Sequence, residues 1–424
     1  MKRKVVIIGH SYSSRLGIIR SLAQEGCEIT VIVMTGVRRE GRPSIDKKPI
    51  DCYSKYVGRI LYCNRKDQRA LMALLTENCQ DMHQKVVLIP DGDDVVATID
   101  NNKEVLKEHF LFPHVAKEPS SLEYWMDKAN QKRLAKGIGL NVADATMIEI
   151  TDGHYNIPTN IKYPCFPKPL ATMNGGKGGM RRCDNANDLA AALDYIIDTR
   201  SRNIKVLVED YKSIDTEYAL LGFSDGKEVI IPGMLQFLSI SKAHMGIALR
   251  GKVMPVDSTS SPQVEFKELV EKFKQLVLAI GFVGVFDIDF YQSDDVFYFC
   301  ELNLRYGGSG YAVTKMGVNL PAMMVKSFCG EDISDMKKSV DGEAVYVNER
   351  MCLDDWNSGR MSLREYLKCL RTADIRFVAD EMDKRPEREY NRVFRKQLLT
   401  NTIRRLLAPR GRRPSVGQEK VFLT

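Results

Sequence analysis

Asp289, Glu301, Asn303 and Arg305 are the residues whose types and spacing most directly define a chemistry. In Phe299-Cys300-Glu301-Leu302-Asn303-Leu304-Arg305-Tyr306-Gly307-Gly308, strand alternation puts Glu301, Asn303 and Arg305 on one face of a single short strand. Asp289 stands twelve residues before Glu301, in Gly284-Val285-Phe286-Asp287-Ile288-Asp289-Phe290. Two carboxylates and an amide oxygen are ligands for Mg²⁺ or Mn²⁺, and a guanidinium beside them is a cation for phosphate. The set implies phosphoryl chemistry.

Upstream, a lysine on a strand, Lys168 in Phe166-Pro167-Lys168-Pro169, precedes the loop Ala171-Thr172-Met173-Asn174-Gly175-Gly176-Lys177-Gly178-Gly179-Met180. Bare N–H groups around Gly175, Gly176, Gly178 and Gly179 suit a flap that closes over phosphates, although no GK[ST] opens a helix here and a plain Gly-rich hairpin reads equally well. Lys128, in Asp127-Lys128, is either a second phosphate contact or a solvated helix charge. The run Lys205–Tyr211 is a buried strand ending in Glu209, Asp210 and Tyr211, which either presents backbone to an adenine edge or meets solvent. Glu217 suits ribose hydroxyls or a solvated surface. His244 and Arg250 would line an anion site or cap a loop.

Positioning these groups requires several layers. The opening alternates strand (Val5 to Gly9), helix (Arg15 to Glu25) and strand (Glu28 to Met34), with a further buried run at Lys85–Pro90, so a parallel sheet covered by helices is expected. Gly9-His10-Ser11-Tyr12-Ser13-Ser14-Arg15-Leu16-Gly17 lacks GxGxxG spacing, which argues against NAD. A helix is expected over Leu122–Gly137, another over Ala186–Thr199, a third over Val264–Ile280 and a fourth over Gly317–Phe328; short strands with Gly and Pro turns fill Met147–Leu235. The resulting class is α/β and α+β multidomain. Expected boundaries are 1–118 for the parallel-sheet domain, 119–210 for a subdomain with the glycine flap, 211–340 for the metal-binding subdomain and 341–424 for a helix-rich extension, disordered from about 409.

Composition narrows the function classes. Residues 384–424 carry twelve Lys/Arg against three Glu, a local charge of +9 in a chain of +7, so the body carries −2 and a nucleic-acid-binding surface is not expected. The ten cysteines include no CxxC pair and read as reduced core thiols, and with six histidines a zinc site is discounted. The chain opens directly on a buried-strand pattern and has no run of eighteen apolar residues, from which a cytoplasmic protein is expected.

The order Lys, Lys, glycine flap, acidic strand end, Glu, then Asp-x₁₁-Glu-x-Asn-x-Arg resembles the ATP-grasp superfamily over about Val5 to Ile333. Within it the chain is most similar to the D-aspartate ligase and amino-acid ligase group, through Leu88-Ile89-Pro90-Asp91-Gly92-Asp93-Asp94, Glu301-Leu302-Asn303-Leu304-Arg305 and Val313-Thr314-Lys315-Met316-Gly317-Val318-Asn319-Leu320-Pro321. The resemblance implies an ATP-grasp fold with a Rossmann-like N-terminal domain. It also implies ATP and Mg²⁺ as cofactors, Lys128 and Lys168 on the phosphates, Glu209 to Tyr211 on adenine and Glu217 on ribose. Asp289, Glu301 and Asn303 would hold the metal. Two positions depart from the pattern: Asp215 stands where a glycine often precedes the ribose carboxylate, and Asp287 where D-alanine ligases place an arginine.

The implied activity is a carboxylate–amine ligase acting through an acyl phosphate, with Arg305 and Lys168 as catalytic residues. A carboxylase like biotin carboxylase or the purine carboxylases, and a non-catalytic nucleotide-binding accessory, are the competing readings. Dimers are common in the superfamily, so a homodimer is admitted. Tyr390, Val393, Phe394, Leu398, Ile403, Leu406 and Leu407 share one side of a basic C-terminal helix that would dock on anionic membrane, on a partner or on the enzyme's own body; the last is the expected outcome.

Overall fold

The computed structural model describes residues 2–10, 12–36, 48–170, 179–244, 246–256 and 263–407. The glycine loop through Gly178 and the segment expected to be disordered from 409 lie outside them. The chain divides into two units: Met1–Pro113 with Pro232–Pro255 and Tyr306–Thr424, and His114–Ile231 with Val256–Arg305.

The first unit begins with a five-stranded parallel sheet in the order Val57–Asn64, Glu28–Thr35, Lys4–Gly9, Val86–Asp91, Phe110–Leu111. Its inner strands are almost continuously apolar because helices cover both faces. Val6, Ile8, Ile32, Leu88 and Phe110 pack with Leu71 and Leu75 of helix Gln68–Asn78 and with Val95 and Ile99 of helix Asp93–Asn101. The same unit holds antiparallel pairing between residues 234–240 and strand Ala248–Met254, then Ala344–Val347 and the short parallel strand Ile375–Arg376. Helices Glu349–Asn357, Leu363–Arg371 and Lys384–Leu407 close over this layer. Tyr390, Val393, Phe394 and Leu398 sit in that core with Trp356 and Tyr366, so this part of the amphipathic helix docks on the protein's own body. The side chains of Ile403, Leu406 and Leu407 are outside the described set. Among the described residues, no helix is long and apolar enough to cross a membrane.

The second unit has two layers. Strand Ile204–Asp210 lies between Ala145–Ile150 and Cys165–Pro169, antiparallel to both, and helix Ala186–Thr199 packs Leu189, Leu193 and Ile196 on it. The other layer pairs Thr216–Asp225 with Phe282–Ser293 and the latter with Val296–Asn303, all antiparallel, with His114–Val115 at one end. Helix Gln263–Ile280 seals that sheet through Phe266 and Phe273, which meet Phe290, Phe297 and Phe299 at ring-centroid separations of 5.3–6.3 Å.

Two expectations need correction. The helix expected over Leu122–Gly137 is two helices, Leu122–Met126 and Lys128–Gly137, because Asp127 is extended (φ −70°, ψ 117°) and its carboxylate caps the second by accepting from the Ala129 and Asn130 amides. The helix expected from Gly317 starts at Leu320, where Asn319 accepts from the Ala322 amide at 3.1 Å.

Candidate active site

The hairpin of Phe282–Ser293 and Val296–Asn303 sets the centre. Register places Asp289 directly opposite Glu301 and Asp287 opposite Asn303, so these four side chains share a face; Glu217 enters the same face from the next strand, opposite Tyr291. The Asn303 amide nitrogen donates to Asp289 Oδ2 at 3.1 Å. Asp289, Glu301 and Asn303 thus lie on one face of the hairpin. Among the described residues no group of three or more His, Cys, Asp or Glu side chains is arranged as a complete metal cage. Two carboxylates with an amide are a donor set that would fit Mg²⁺.

Arg305 corrects the single-strand picture: the strand ends at Asn303 and Arg305 lies two residues beyond, in a bend, half-buried. Its charge still reaches this face, because it acts on Asp287. Burial pushes the Asp287 carboxyl up to about 7, Arg305 opposing and Glu301 reinforcing. Asp287 Oδ1 is buried and meets no hydrogen-bond partner among the described residues.

Lysines surround the cluster. Lys128, the first residue of its helix, forms an ion pair with Glu301. One turn later Lys132 pairs with Glu209, and Lys168 reaches the other oxygen of that carboxylate at 2.8 Å. The helix is fixed on strand Val296–Asn303 by Gln131, whose Nε2 donates to Leu302 O (2.7 Å) and Trp125 O (2.6 Å) while its Oε1 accepts from the Leu302 amide (2.9 Å). Burial raises the carboxylate pKa of Glu209, but Lys168 and Lys132 outweigh it and hold the group below the ordinary range. For Lys168, burial is outweighed by Cys300 and Glu209, so its pKa is raised; since burial also raises the Cys300 thiol, that thiol is neutral near pH 7 and Glu209 is the anion that matters. Burial pulls Lys132 down more than Glu209 lifts it, whereas at Lys128 burial is outweighed, chiefly by Glu301, and the pKa rises.

The acidic strand end behaves differently from expectation. Glu209 turns its side chain into the lysine pair. The Asp210 and Tyr211 amides already donate to Asp144 O (2.8 Å) and Pro164 O (3.0 Å), so a base edge would meet carbonyls here or amides farther along. Arg182 stands 4.9 Å over the Tyr211 ring and Lys162 lies 3.7 Å from Asp210. Gly179, the flap residue within the described set, has φ +84°, which favours glycine. Gly175, Gly176 and Gly178 lie outside that set. His244 and Arg250 belong to the first unit, where His244 Nε2 is 3.0 Å from Asp354 and Arg250 donates to Thr372 Oγ1.

Sequence reasoning missed three neighbours of the site. Lys132 was discoverable, because it lies four residues after Lys128 on the same helix face. Cys300 was not: a bulge follows Asp289 in the ladder, and Cys300 Sγ consequently comes within 3.9 Å of Lys168 Nζ. Asp287 had been noted only as a departure from a pattern. A separate cleft of about 900 Å³, lined by Arg3, Glu25, Lys85 and Glu331, contains none of these residues and is bridged by the Arg3–Glu331 ion pair.

The family model of the ATP-grasp domain matches residues 133–320. The carbamoyl phosphate synthase large chain of Agathobacter rectalis is 26% identical over 181 residues, 42% of this chain and 16% of that protein. This chain therefore spans about a sixth of the length of that relative. The biotin carboxylase domain dimer of Hydrogenobacter thermophilus 2-oxoglutarate carboxylase, solved with MgADP, ADP and bicarbonate, superposes with TM-score 0.61 at 16% identity over 81% of this chain and 74% of that one. The L-amino acid ligase of Bacillus licheniformis gives 0.59 at 15% identity, covering 81% and 79%. These likenesses establish a shared fold, and residues 133–320 match the model of the ATP-grasp domain.

Proposed function

We propose that the protein is an ATP-dependent ligase that activates a carboxylate as an acyl phosphate and joins it to an amine, releasing ADP and phosphate. One observation carries the reading: within one unit, Lys128 on Glu301 and Lys168 on Glu209 flank the Asp289–Glu301–Asn303 cluster, with Arg305 beside it. A carboxylate is a poor acyl donor because oxide would have to leave, and transfer of the γ-phosphoryl group to it creates a competent leaving group. Mg²⁺ held by Asp289, Glu301 and Asn303 would supply charge neutralisation at the phosphates.

The protein's own groups do the rest. Lys128 and Lys168 exchange their carboxylate partners for phosphate oxygens, so each ammonium keeps an anionic partner. Arg305 faces the reacting end, where its fork stabilises the oxygen that gains charge as the amine attacks. Glu217 is assigned to ribose and the Glu209–Tyr211 segment to adenine. The glycine loop with Gly175, Gly176, Gly178 and Gly179 is assigned to the triphosphate, shielding the acyl phosphate from water. The amino-acid ligase subgroup, a homodimer and a cytoplasmic setting where ATP is supplied complete the proposal.

The carboxylase alternative draws on the H. thermophilus neighbour, which was solved with bicarbonate. Phosphate release measured over pairs of amino acids, with and without bicarbonate, and mass measurement of the product separate the two. Release requiring an acid and an amine, with a product lighter than their sum by one water, supports the ligase; release requiring bicarbonate supports the carboxylase. Failure of every pair and of bicarbonate to stimulate release would overturn both.

A further inference from the structure

We infer that Lys132 is a positioning residue for Lys168: it keeps the buried Glu209 carboxylate compensated when Lys168 turns to the nucleotide phosphates. This rests on the nucleotide reading above.

Glu209 is only 3% exposed, and each of its oxygens meets a different lysine: Oε1 meets Lys132 and Oε2 meets Lys168, the latter at 2.8 Å. A phosphate that recruits Lys168 competes with Glu209 for it. Were Lys168 the sole partner, each binding event would strip a buried carboxylate of its counter-charge, a penalty large enough to offset the new contact. A lone Lys–Glu pair would also present no net charge to the incoming anion, whereas two ammoniums on one carboxylate leave an excess of one positive charge.

The two lysines differ in how firmly they are held. Lys132 follows Gln131, which is clamped to the Leu302 backbone in both directions at 2.7 and 2.9 Å, so its helix is anchored to strand Val296–Asn303. Lys168 is the penultimate residue of Cys165–Pro169, with the Cys300 sulfur 3.9 Å and the Phe166 ring 5.9 Å away. Lys132 therefore stays and Lys168 moves. A purely structural ion pair would not couple Lys132 to nucleotide affinity.

Calorimetric titration of the full chain with MgAMPPNP tests this. Lys132→Met is expected to weaken binding by ~10- to 100-fold, a fraction of the cost of an uncompensated buried charge. Lys132→Arg, which keeps the charge, should recover most of the loss. Adding Glu209→Gln to Lys132→Met removes the anion that needs compensation and should restore at least ~10-fold relative to the single variant. Wild-type affinity in Lys132→Met, or a double variant as weak as the single one, would overturn the inference. Should Lys132→Met fail to fold, the double variant decides: it folds and binds if Lys132 serves Glu209, and its failure in either respect counts against the proposal. Absence of AMPPNP binding by the wild type would instead overturn the nucleotide reading, and the inference with it.

Discussion

Buried Arg15 and Glu349 of the first unit and buried Glu209 of the second satisfy their charge in different ways. In the first, fully buried Arg15 grips Asp51 with two nitrogens, at 2.7 and 3.0 Å, and donates a further hydrogen bond to Gly9 O. Glu349, equally buried, accepts from the Phe377, Val378 and Ala379 amides at 2.7, 2.9 and 3.1 Å and pairs with Arg376. Such partners are planar forks and fixed backbone, which cannot be exchanged without unfolding. In the second unit Glu209 and Glu301 are met by ammonium groups on flexible stems. Point charges of that kind can be handed to a ligand, as the proposed nucleotide binding requires.

Substitutions sharpen that contrast. Asp51→Asn leaves Arg15 buried without its counter-charge and should cost about 3–5 kcal/mol of unfolding free energy; urea unfolding measures the loss, and MgAMPPNP affinity of the folded fraction should not change. Arg305→Ala should do the reverse, lowering product formation by ~10²-fold or more while nucleotide binding persists, whereas Glu301→Ala should weaken MgAMPPNP itself. Normal turnover by Arg305→Ala would remove Arg305 from the chemistry.

Asp287 provides a pH test. Its native carboxyl keeps a proton up to about pH 7, against 3.8 for an unburied aspartate. Between those values unfolding releases a proton, so this group makes stability fall as pH rises through the window; the fall between pH 5 and 7 is on the order of 2–3 kcal/mol. Asp287→Asn should flatten it in unfolding measured without metal, and an unchanged slope would refute the assignment. Smallest is Tyr390→Phe, which removes a hydroxyl that donates to Glu349 O at 2.7 Å and lies 2.9 Å from the Tyr366 hydroxyl. Thermal unfolding should register about 1–2 kcal/mol, and vesicle sedimentation should show no membrane partitioning of the intact chain through the apolar side buried at Tyr390–Leu398.

Much of this was legible because it rests on strong periodic signals. The apolar runs of Val5–Ile8 and Val86–Ile89 announce strands buried on both faces, and the twelve-residue spacing from Asp289 to Glu301 is that of a hairpin whose two strands face each other. What escaped depends on local breaks or on burial. The extended backbone of Asp127 divides an otherwise continuous helical pattern, and the bulge beside Cys300 rotates that thiol toward Lys168. An acid at a strand end reads as solvated, yet Glu209 is buried because Lys132 and Lys168, distant in sequence, converge on it. Convergence of charges from separate elements has no periodicity to read.

A crystal structure of the full chain with MgAMPPNP tests the central claim most directly. The account predicts metal on Asp289, Glu301 and Asn303, Lys128 and Lys168 turned to the phosphates, and Glu209 still held by Lys132. A triphosphate bound elsewhere, with Lys128 still on Glu301 and Lys168 still on Glu209, would contradict it.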